Sequence, residues 1–208
     1  MSEVDRLRDE NSKLKTKLKN LTTAYSSLKK MNKDLMENIF IDENTRLYNS
    51  RYLNIRLDEE MKRAKRYNQF LSLVLVSVTS PSEEQLGQSS EERGSMFMKK
   101  LGEFIKANLR DTDILSLYND DVLALILPET NIEGAVCLSE RLKDQVLFAF
   151  SGIDLESTNA KKNISISIGI TSYPTDARVI DELIKNASHM LECSRGSENN
   201  TIYCSIMN

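Results

Sequence analysis

The sequence predicts an α/β protein with a five-stranded, mostly antiparallel sheet flanked by helices, behind a long N-terminal helix. Three observations support this fold class: the order of the apolar segments, a heptad pattern over residues 2–39, and two strand-like runs on either side of residue 120. The periodicity of the segments gives the order α–α–β–α–β–β–α–β–α–β. Helices alternating with short strands in this way indicate a sheet covered by helices.

A heptad pattern of mostly apolar residues runs through residues 2–39 without a proline or a glycine. Its positions are Val4, Leu7, Asn11, Leu14, Leu18, Leu21, Tyr25, Leu28, Asn32, Leu35 and Ile39. Such a sustained repeat, with leucine at the d positions, predicts a coiled coil rather than a solitary amphipathic helix. Asn11 and Asn32 at a positions favour a parallel dimer, because a buried asparagine pairs with its copy. We expect residues 1–41 to be a dimerisation helix and residues 42–208 to form the globular domain.

The first half of the globular domain is predicted from the spacing of its apolar residues and from the polar segments between them. After the connector Asp42–Asn49, a helix is expected at about Ser50–Tyr67. The apolar run Phe70–Val78 predicts a central strand that is covered on both faces. The polar stretch Thr79–Ser95 is expected to be largely mobile, and helical spacing returns at Met96–Leu109.

A β-hairpin is predicted next. The runs Ile114–Tyr118 and Val122–Leu127 flank Asn119-Asp120-Asp121, whose residue types accept the positive φ angles of a tight turn. The remaining segments predict a helix at about Ile132–Val146, a loop at Ser151–Asn163, a strand at Ile164–Ile170, a helix at Asp181–Cys193 and a strand at Thr201–Ile206.

Composition and charge exclude several classes of function. A net charge of −3 does not suit a nucleic-acid-binding protein, which normally carries a basic face. No apolar run has membrane-spanning length and no signal peptide is evident, so we expect a cytoplasmic protein without a membrane partner. Cys137, Cys193 and Cys204 are widely spaced and are expected to be buried thiols in a reducing compartment. His189 and Cys193 are only two possible ligands, which predicts no metal site.

Four segments in the right order resemble the GGDEF-type domain of diguanylate cyclases, over roughly Asp42 to Tyr203. They are Asp42…Thr45-Arg-Leu-Tyr-Asn49, Lys65-Arg-Tyr…Leu71-Ser-Leu-Val-Leu-Val, Leu123-Ala-Leu-Ile-Leu-Pro-Glu-Thr130 and Ser167-Ile-Gly-Ile-Thr-Ser-Tyr-Pro174. The resemblance implies a five-stranded sheet related to nucleotidyl cyclase and polymerase palm domains.

The catalytic positions depart from the family that the chain resembles. An active member offers Gly-Gly, two acidic residues and Phe at the hairpin, where this chain has Asn119-Asp120-Asp121-Val122-Leu123. The metal-binding acid at the end of the first strand aligns with Ser77, which leaves Asp121 as the surviving carboxylate. Paired glycines allow the backbone to approach a triphosphate, and Mg²⁺ needs several hard oxygen ligands. We therefore expect no cyclase activity, no magnesium and no cofactor.

The inhibitory site of the family resembles Arg110-Asp-Thr-Asp113, five residues before the hairpin loop. The resemblance adds Arg141 from the following helix and Arg63, which in the family reaches over from an adjacent domain. Guanidinium groups donate to phosphate or to guanine O6 and N7, and a carboxylate accepts from the guanine N1 and N2 hydrogens. These four residues therefore suit cyclic di-GMP. The structural alternative is that Arg110 serves a helix dipole, Asp113 caps a turn, and the other two arginines are solvated.

The resulting hypothesis is a catalytically inactive, coiled-coil dimeric receptor for cyclic di-GMP that signals to an unknown downstream protein. The alternative is a ligand-independent dimerisation or protein-interaction scaffold. A third hypothesis is that the chain retains some catalytic activity on nucleotides. The sequence leaves open whether GTP binds the altered cleft.

Overall fold

The structure, a computed structural model, describes residues 3–79, 90–150, 164–197 and 200–205. The chain divides into two units, Met1–Ile41 and Asp42–Asn208. The first unit is built on helix α1, Glu3–Phe40. The described apolar heptad positions of α1 are exposed in the single chain, and Leu21 keeps 69% of its surface accessible. None of the described helices combines the length and the apolar character that crossing a bilayer requires.

The second unit contains a sheet and four helices within the described ranges. Its elements are α2 (Ser50–Tyr67), β1 (Leu71–Thr79), α3 (Ser90–Ala107), β2 (Ile114–Asn119), β3 (Val122–Pro128), α4 (Ile132–Phe150), β4 (Ser165–Tyr173), α5 (Ile180–Gly196) and β5 (Thr201–Cys204). The strand order is β2-β3-β1-β4-β5, and every neighbouring pair is antiparallel except β4–β5. The predicted fold class and element order are confirmed.

Strand β1 lies at the centre of the sheet, and its residues from Leu71 to Val78 are all buried. Successive side chains of a strand point to opposite faces, so a nearly unbroken apolar run requires cover on both sides. Val74, Val76 and Val78 pack with residues of α3 and α4 in one core cluster. Leu71, Leu73 and Leu75 pack with residues of α2 and α5 in the other. The sheet is therefore the middle layer of three.

Three expectations about local structure were wrong. Helix α3 begins at Ser90 rather than at Met96, so the last residues of the polar stretch are helical. The mobility expected of that stretch stays a prediction, because residues 80–89 lie outside the described ranges. The helix begins with a serine followed by two acidic residues, which is a pattern typical of helix N-termini. This pattern predicts the start better than the polarity of the segment does. Cys137 is exposed rather than buried, because it lies on the outer face of α4, although all three cysteines are free. The loop expected at residues 151–163 also lies outside the described ranges.

The third wrong expectation concerns the hairpin turn. Among the residues that the structure describes, those with positive φ other than glycine are Arg46, Asn68, Glu129 and Asn200, and none belongs to the turn. A bulge between Leu117 and Asn119 lets Asn119 pair with Val122 across a two-residue loop. The bulge supplies the twist that a positive-φ turn would otherwise provide, so the loop closes without left-handed residues.

Candidate functional site

A cavity of about 490 Å³ opens between helix α2, the end of α3 and the start of β2. Its lining includes three of the four residues that the sequence singled out, namely Arg63, Arg110 and Asp113. It also includes an apolar part contributed by Leu109, Ile114, Leu115 and Pro128. The cavity therefore combines charged groups with apolar wall, which is typical of sites for small organic ligands.

The turn that joins α3 to β2 positions Arg110 and Asp113. The Asp113 backbone N–H donates to the Arg110 carbonyl oxygen at 3.0 Å, and the Arg110 N–H donates to Asp113 Oδ2 at 2.9 Å. These reciprocal bonds fix the two residues relative to each other. Burial raises the pKa of the Asp113 carboxyl, against the opposing effects of that hydrogen bond and of the Arg110 charge. The exposed guanidinium of Arg110 forms no ion pair with any residue that the structure describes.

Arg63 reaches this cavity from helix α2 of the same chain, whereas the family resemblance had it come from a neighbouring domain. Its Nη1 lies 3.8 Å from Glu60 Oε2, and its side chain is 59% exposed. Glu60 is buried and is held more tightly by Arg56, whose Nη2 is 2.8 Å from Glu60 Oε1. Arg63 is therefore only loosely tied and is available to a ligand in the cavity.

Arg141 does not line the cavity in this structure. Its Nη2 donates to the Asn108 carbonyl oxygen at 3.1 Å, which ties helix α4 to the C-terminal end of α3. The contact lies two residues before Arg110 along the chain. Arg141 thus supports the segment that carries Arg110, and the structure does not bring it to the cavity beside the other three residues.

A second cluster lies where the family resemblance places catalytic metals. Arg195 of α5 donates from one nitrogen, Nη2, to Ser77 Oγ at 2.7 Å and to Asp121 Oδ2 at 2.7 Å. Its other terminal nitrogen pairs with Glu192 Oε1 at 3.2 Å. A guanidinium cation thus occupies the space between the two positions that align with metal ligands. With one carboxylate, one neutral hydroxyl and a fixed positive charge, this donor set does not fit Mg²⁺.

No group of three or more His, Cys, Asp or Glu side chains suited to a metal ion occurs among the described residues. His189 Nε2 and Cys193 Sγ do approach each other, at 3.9 Å on α5. They remain a pair rather than a centre, since a structural metal normally takes four ligands.

The sequence reasoning missed several residues of these two sites. Tyr48 and Tyr52 line the cavity, and their spacing of four residues across the start of α2 was the signal that could have found them. Arg56 and Glu60 also lie four apart on one helix, which is the spacing of a helical ion pair. No sequence signal connects Arg195 with Ser77, because the two are 118 residues apart.

The five-stranded sheet and its flanking helices form a nucleotidyl cyclase-like domain. Residues 39–201 match the family model "Diguanylate cyclase, GGDEF domain". The chain belongs to the GGDEF domain family.

The curated relatives include a cyclic di-GMP phosphodiesterase and a response regulator. The cyclic di-GMP phosphodiesterase NbdA of Pseudomonas aeruginosa is 26% identical over 200 residues, which cover 94% of this chain and 23% of NbdA. The response regulator PleD of Caulobacter vibrioides is 23% identical over 77% of this chain and 35% of PleD. The chain therefore spans about a quarter to a third of the length of these relatives.

Solved structures show the same fold at low sequence identity. The coiled coil and GGDEF domain of DgcB from Caulobacter crescentus, solved with c-di-GMP, matches with a TM-score of 0.74 at 15% identity, over 92% of this chain and 99% of that one. The diguanylate cyclase SiaD of Pseudomonas aeruginosa, solved with its activator SiaC, matches with a TM-score of 0.72 at 19% identity, over 97% of this chain and 75% of that one.

Proposed function

We propose that this chain is a catalytically inactive GGDEF domain that binds cyclic di-GMP as a cytoplasmic receptor, dimerised in parallel by helix α1. The observation that carries the proposal is the cavity in which Arg63, Arg110 and Asp113 of one chain meet. These residue types were expected from the sequence, and their presence around one cavity supports a common ligand.

The chemistry of the cavity suits a guanine nucleotide with phosphodiester groups. Arg110 has no ion-pair partner among the described residues, so its guanidinium group is available to a phosphate or to the edge of a guanine base. Asp113 uses Oδ2 for the turn, and Oδ1 accepts no hydrogen bond from the part of the chain that is described. That oxygen suits the N1 and N2 hydrogens of guanine. Cyclic di-GMP presents both kinds of group twice.

Loss of catalysis is supported by the cluster around Arg195. Phosphoryl transfer by metal-dependent enzymes needs cations held by carboxylates near the transferred phosphate. Here the arginine neutralises Asp121 and bonds to Ser77 within the same space. A bound metal would have to displace the guanidinium and then be held by a single carboxylate.

Helix α1 offers a means of passing the binding event to a partner. Its exposed heptad face, with Leu14, Leu18, Leu21 and Leu28, is the surface that a second copy would cover. A ligand that bridges two domains shifts their arrangement by its differential affinity for the possible arrangements. The downstream protein would read that change.

Calorimetry tests the receptor proposal. Wild type should bind cyclic di-GMP, and Arg110→Ala should lose most of the affinity, since charge-assisted bonds to phosphate contribute strongly. Arg178→Ala serves as the matched control, because Arg178 is exposed and lies outside the cavity. Absence of binding by wild type would contradict the proposal.

A separate assay tests the loss of catalysis. Incubation with GTP and Mg²⁺ should yield no cyclic di-GMP by chromatography, and Mg²⁺ should leave the thermal unfolding temperature unchanged. Formation of product would show that the altered cleft still works as an enzyme.

A ligand-independent scaffold is the second candidate, and one observation favours it. Asp113 already serves its own turn, and Arg141 already bonds to Asn108, so both have structural tasks without a nucleotide. A scaffold predicts partner capture in a pull-down that is indifferent to added cyclic di-GMP. A receptor predicts capture that changes with the nucleotide.

A further inference from the structure

Two tyrosines form a stacked pair at the wall of the cavity. The ring centroids of Tyr48 and Tyr52 lie 3.9 Å apart, with an interplanar angle of 15°. Both residues line the cavity that holds Arg110 and Asp113, and both are half-buried. Neither tyrosine belongs to the two apolar core clusters of the sheet.

The backbone holds this pair in place. The Tyr48 carbonyl oxygen accepts from the Leu117 N–H at 2.6 Å, and Tyr48 forms an isolated parallel bridge with Ser116 of β2. Tyr52 lies in the first turn of α2, where Asn49 Oδ1 accepts from its N–H at 3.1 Å. These bonds fix the backbone of both residues, so the pair loses little backbone freedom when a ligand binds, which favours affinity.

The groups around the stack select the kind of ligand. Arg56 shares the wall with the tyrosines, but its terminal nitrogens are occupied by Glu59 at 2.6 Å and Glu60 at 2.8 Å. Arg110 and Lys106, by contrast, form no ion pair with any residue in the described ranges. The lining of the cavity thus includes an aromatic pair and cations without an ion-pair partner, beside the carboxyl groups of Glu60, Asp111, Asp113 and Glu129. A flat heterocycle joined to an anionic group matches the aromatic pair and the cations.

The protonation state of the Tyr52 phenol is compatible with an anionic ligand. Burial raises the pKa of Tyr52, and the neighbouring Tyr48 adds to the effect. The phenol therefore stays neutral at physiological pH and does not repel a phosphate held by the cations nearby.

We infer that the Tyr48–Tyr52 pair is the base-stacking wall of this cavity, onto which one purine of the ligand extends the stack. The inference rests on the proposed function and deepens it, because it adds two ligand-contacting residues that the arginine motif does not contain. Stacking on aromatic side chains is a general mode of base recognition. It also makes the site prefer nucleotides over simple phosphates.

Calorimetry with cyclic di-GMP on Tyr52 variants tests the inference. Tyr52→Phe retains the ring and should bind within about twofold of wild type, whereas Tyr52→Leu should weaken binding about tenfold or more. Tyr67→Leu is the matched control, because Tyr67 lies on the same helix, is exposed and does not line the cavity. It should bind as wild type does.

The possible outcomes distinguish failure of the stacking wall from failure of the proposed receptor function. Binding by wild type with equal affinity in Tyr52→Leu overturns the stacking wall and leaves the receptor in place. Absence of binding by wild type overturns both. If Tyr52→Leu does not fold, a 2-aminopurine analogue of the cyclic dinucleotide with wild type decides the question. Its fluorescence should be quenched on binding, and an unchanged signal overturns the inference.

Discussion

Asp113 shows how one side chain can serve both the fold and a ligand. One carboxylate oxygen closes the turn with the Arg110 N–H, which is the structural role that the residue pattern allowed. Burial raises the pKa of the same carboxyl above its ordinary 3.8. The folded chain therefore holds this proton to a higher pH than the unfolded chain does. The free energy of unfolding therefore falls as the pH rises from 3.8 through the pKa that Asp113 has in the folded chain, because the carboxyl then ionises.

This shift gives a pH prediction for binding. A carboxylate accepts from guanine only when it is ionised, so the affinity for cyclic di-GMP should fall as the pH drops through the raised pKa of Asp113. Asp113→Asn should bind more weakly than wild type at neutral pH and should lose this part of the pH dependence. Calorimetry from neutral pH down to about 4 measures both. A wild-type affinity that does not change over this range would contradict a role for the carboxylate.

Arg46 occupies a strained position in the connector. Its φ is 62°, in the left-handed region that glycine adopts freely. The turn is closed by Asp42, whose Oδ1 accepts from the Thr45 N–H at 2.8 Å and from Thr45 Oγ1 at 2.7 Å. The strain is therefore imposed by the turn and not by the arginine side chain.

Arg46→Gly should stabilise the domain by about 0.5–1 kcal/mol, because relief of the strain exceeds the added freedom of the unfolded chain. Arg51→Gly is the control, since Arg51 is an exposed residue in the first turn of helix α2. There the same change should destabilise by up to about 1 kcal/mol. Chemical denaturation measures the free energy of unfolding of both variants. If Arg46→Gly destabilises the domain as Arg51→Gly does, the turn is not strained.

At the scale of elements, strand β4 and helix α5 pack closely at Gly169. A Cβ atom at this position would lie 2.5 Å from the Ala187 carbonyl oxygen and closer still to the Leu191 nitrogen. Both obstructing atoms belong to backbone, which moves far less readily than a flexible side chain. The glycine is therefore required by the distance between the two elements.

Gly169→Ala should destabilise the domain on the order of 2–3 kcal/mol, because α5 must move away from the sheet. Gly196→Ala provides the comparison, since a Cβ at Gly196 meets nothing within 4 Å. That variant should stay within about 0.5 kcal/mol of wild type. Thermal unfolding followed by circular dichroism distinguishes the two, and similar effects would contradict the close packing.

The elements were largely predictable from the sequence, for a physical reason. Helix α2 begins and ends where its spacing and the connector indicated, and β1 is central because a nearly unbroken apolar run needs two covered faces. The start of α3 was missed because a polar first turn resembles a loop. The hairpin angles were missed because the bulge depends on the register of β2 against β3, which the local sequence does not contain.

The candidate sites were predictable only in part. Arg110 and Asp113 are close in sequence, so a short motif could indicate them. The contact of Arg195 with Asp121 joins residues 74 positions apart and needs the folded sheet to bring them together. The tyrosine wall similarly depends on the connector pairing with β2, a contact between segments about 70 residues apart.

At the scale of the whole molecule, the exposed heptad face of α1 predicts self-association. Leu21→Asp and Leu28→Asp should convert the proposed dimer to a monomer, because a charge at a d position would be buried against its copy. Thr23→Asp, at a position away from the heptad seam, should leave the dimer intact. Analytical ultracentrifugation measures the masses, and a monomeric wild type would contradict the coiled coil.

Replacement of Asn11 and Asn32 by leucine should shift the proposed dimer toward larger assemblies.

The central place of β1 also has a consequence for biosynthesis. Its antiparallel neighbour β4 begins at Ser165, more than eighty residues after β1 ends. At ordinary translation rates that interval lasts on the order of 5–20 s. Throughout it, the buried strand that will form the centre of the sheet has an open flank, so polypeptides that stop before β4 should precipitate or be retained by chaperones on the ribosome.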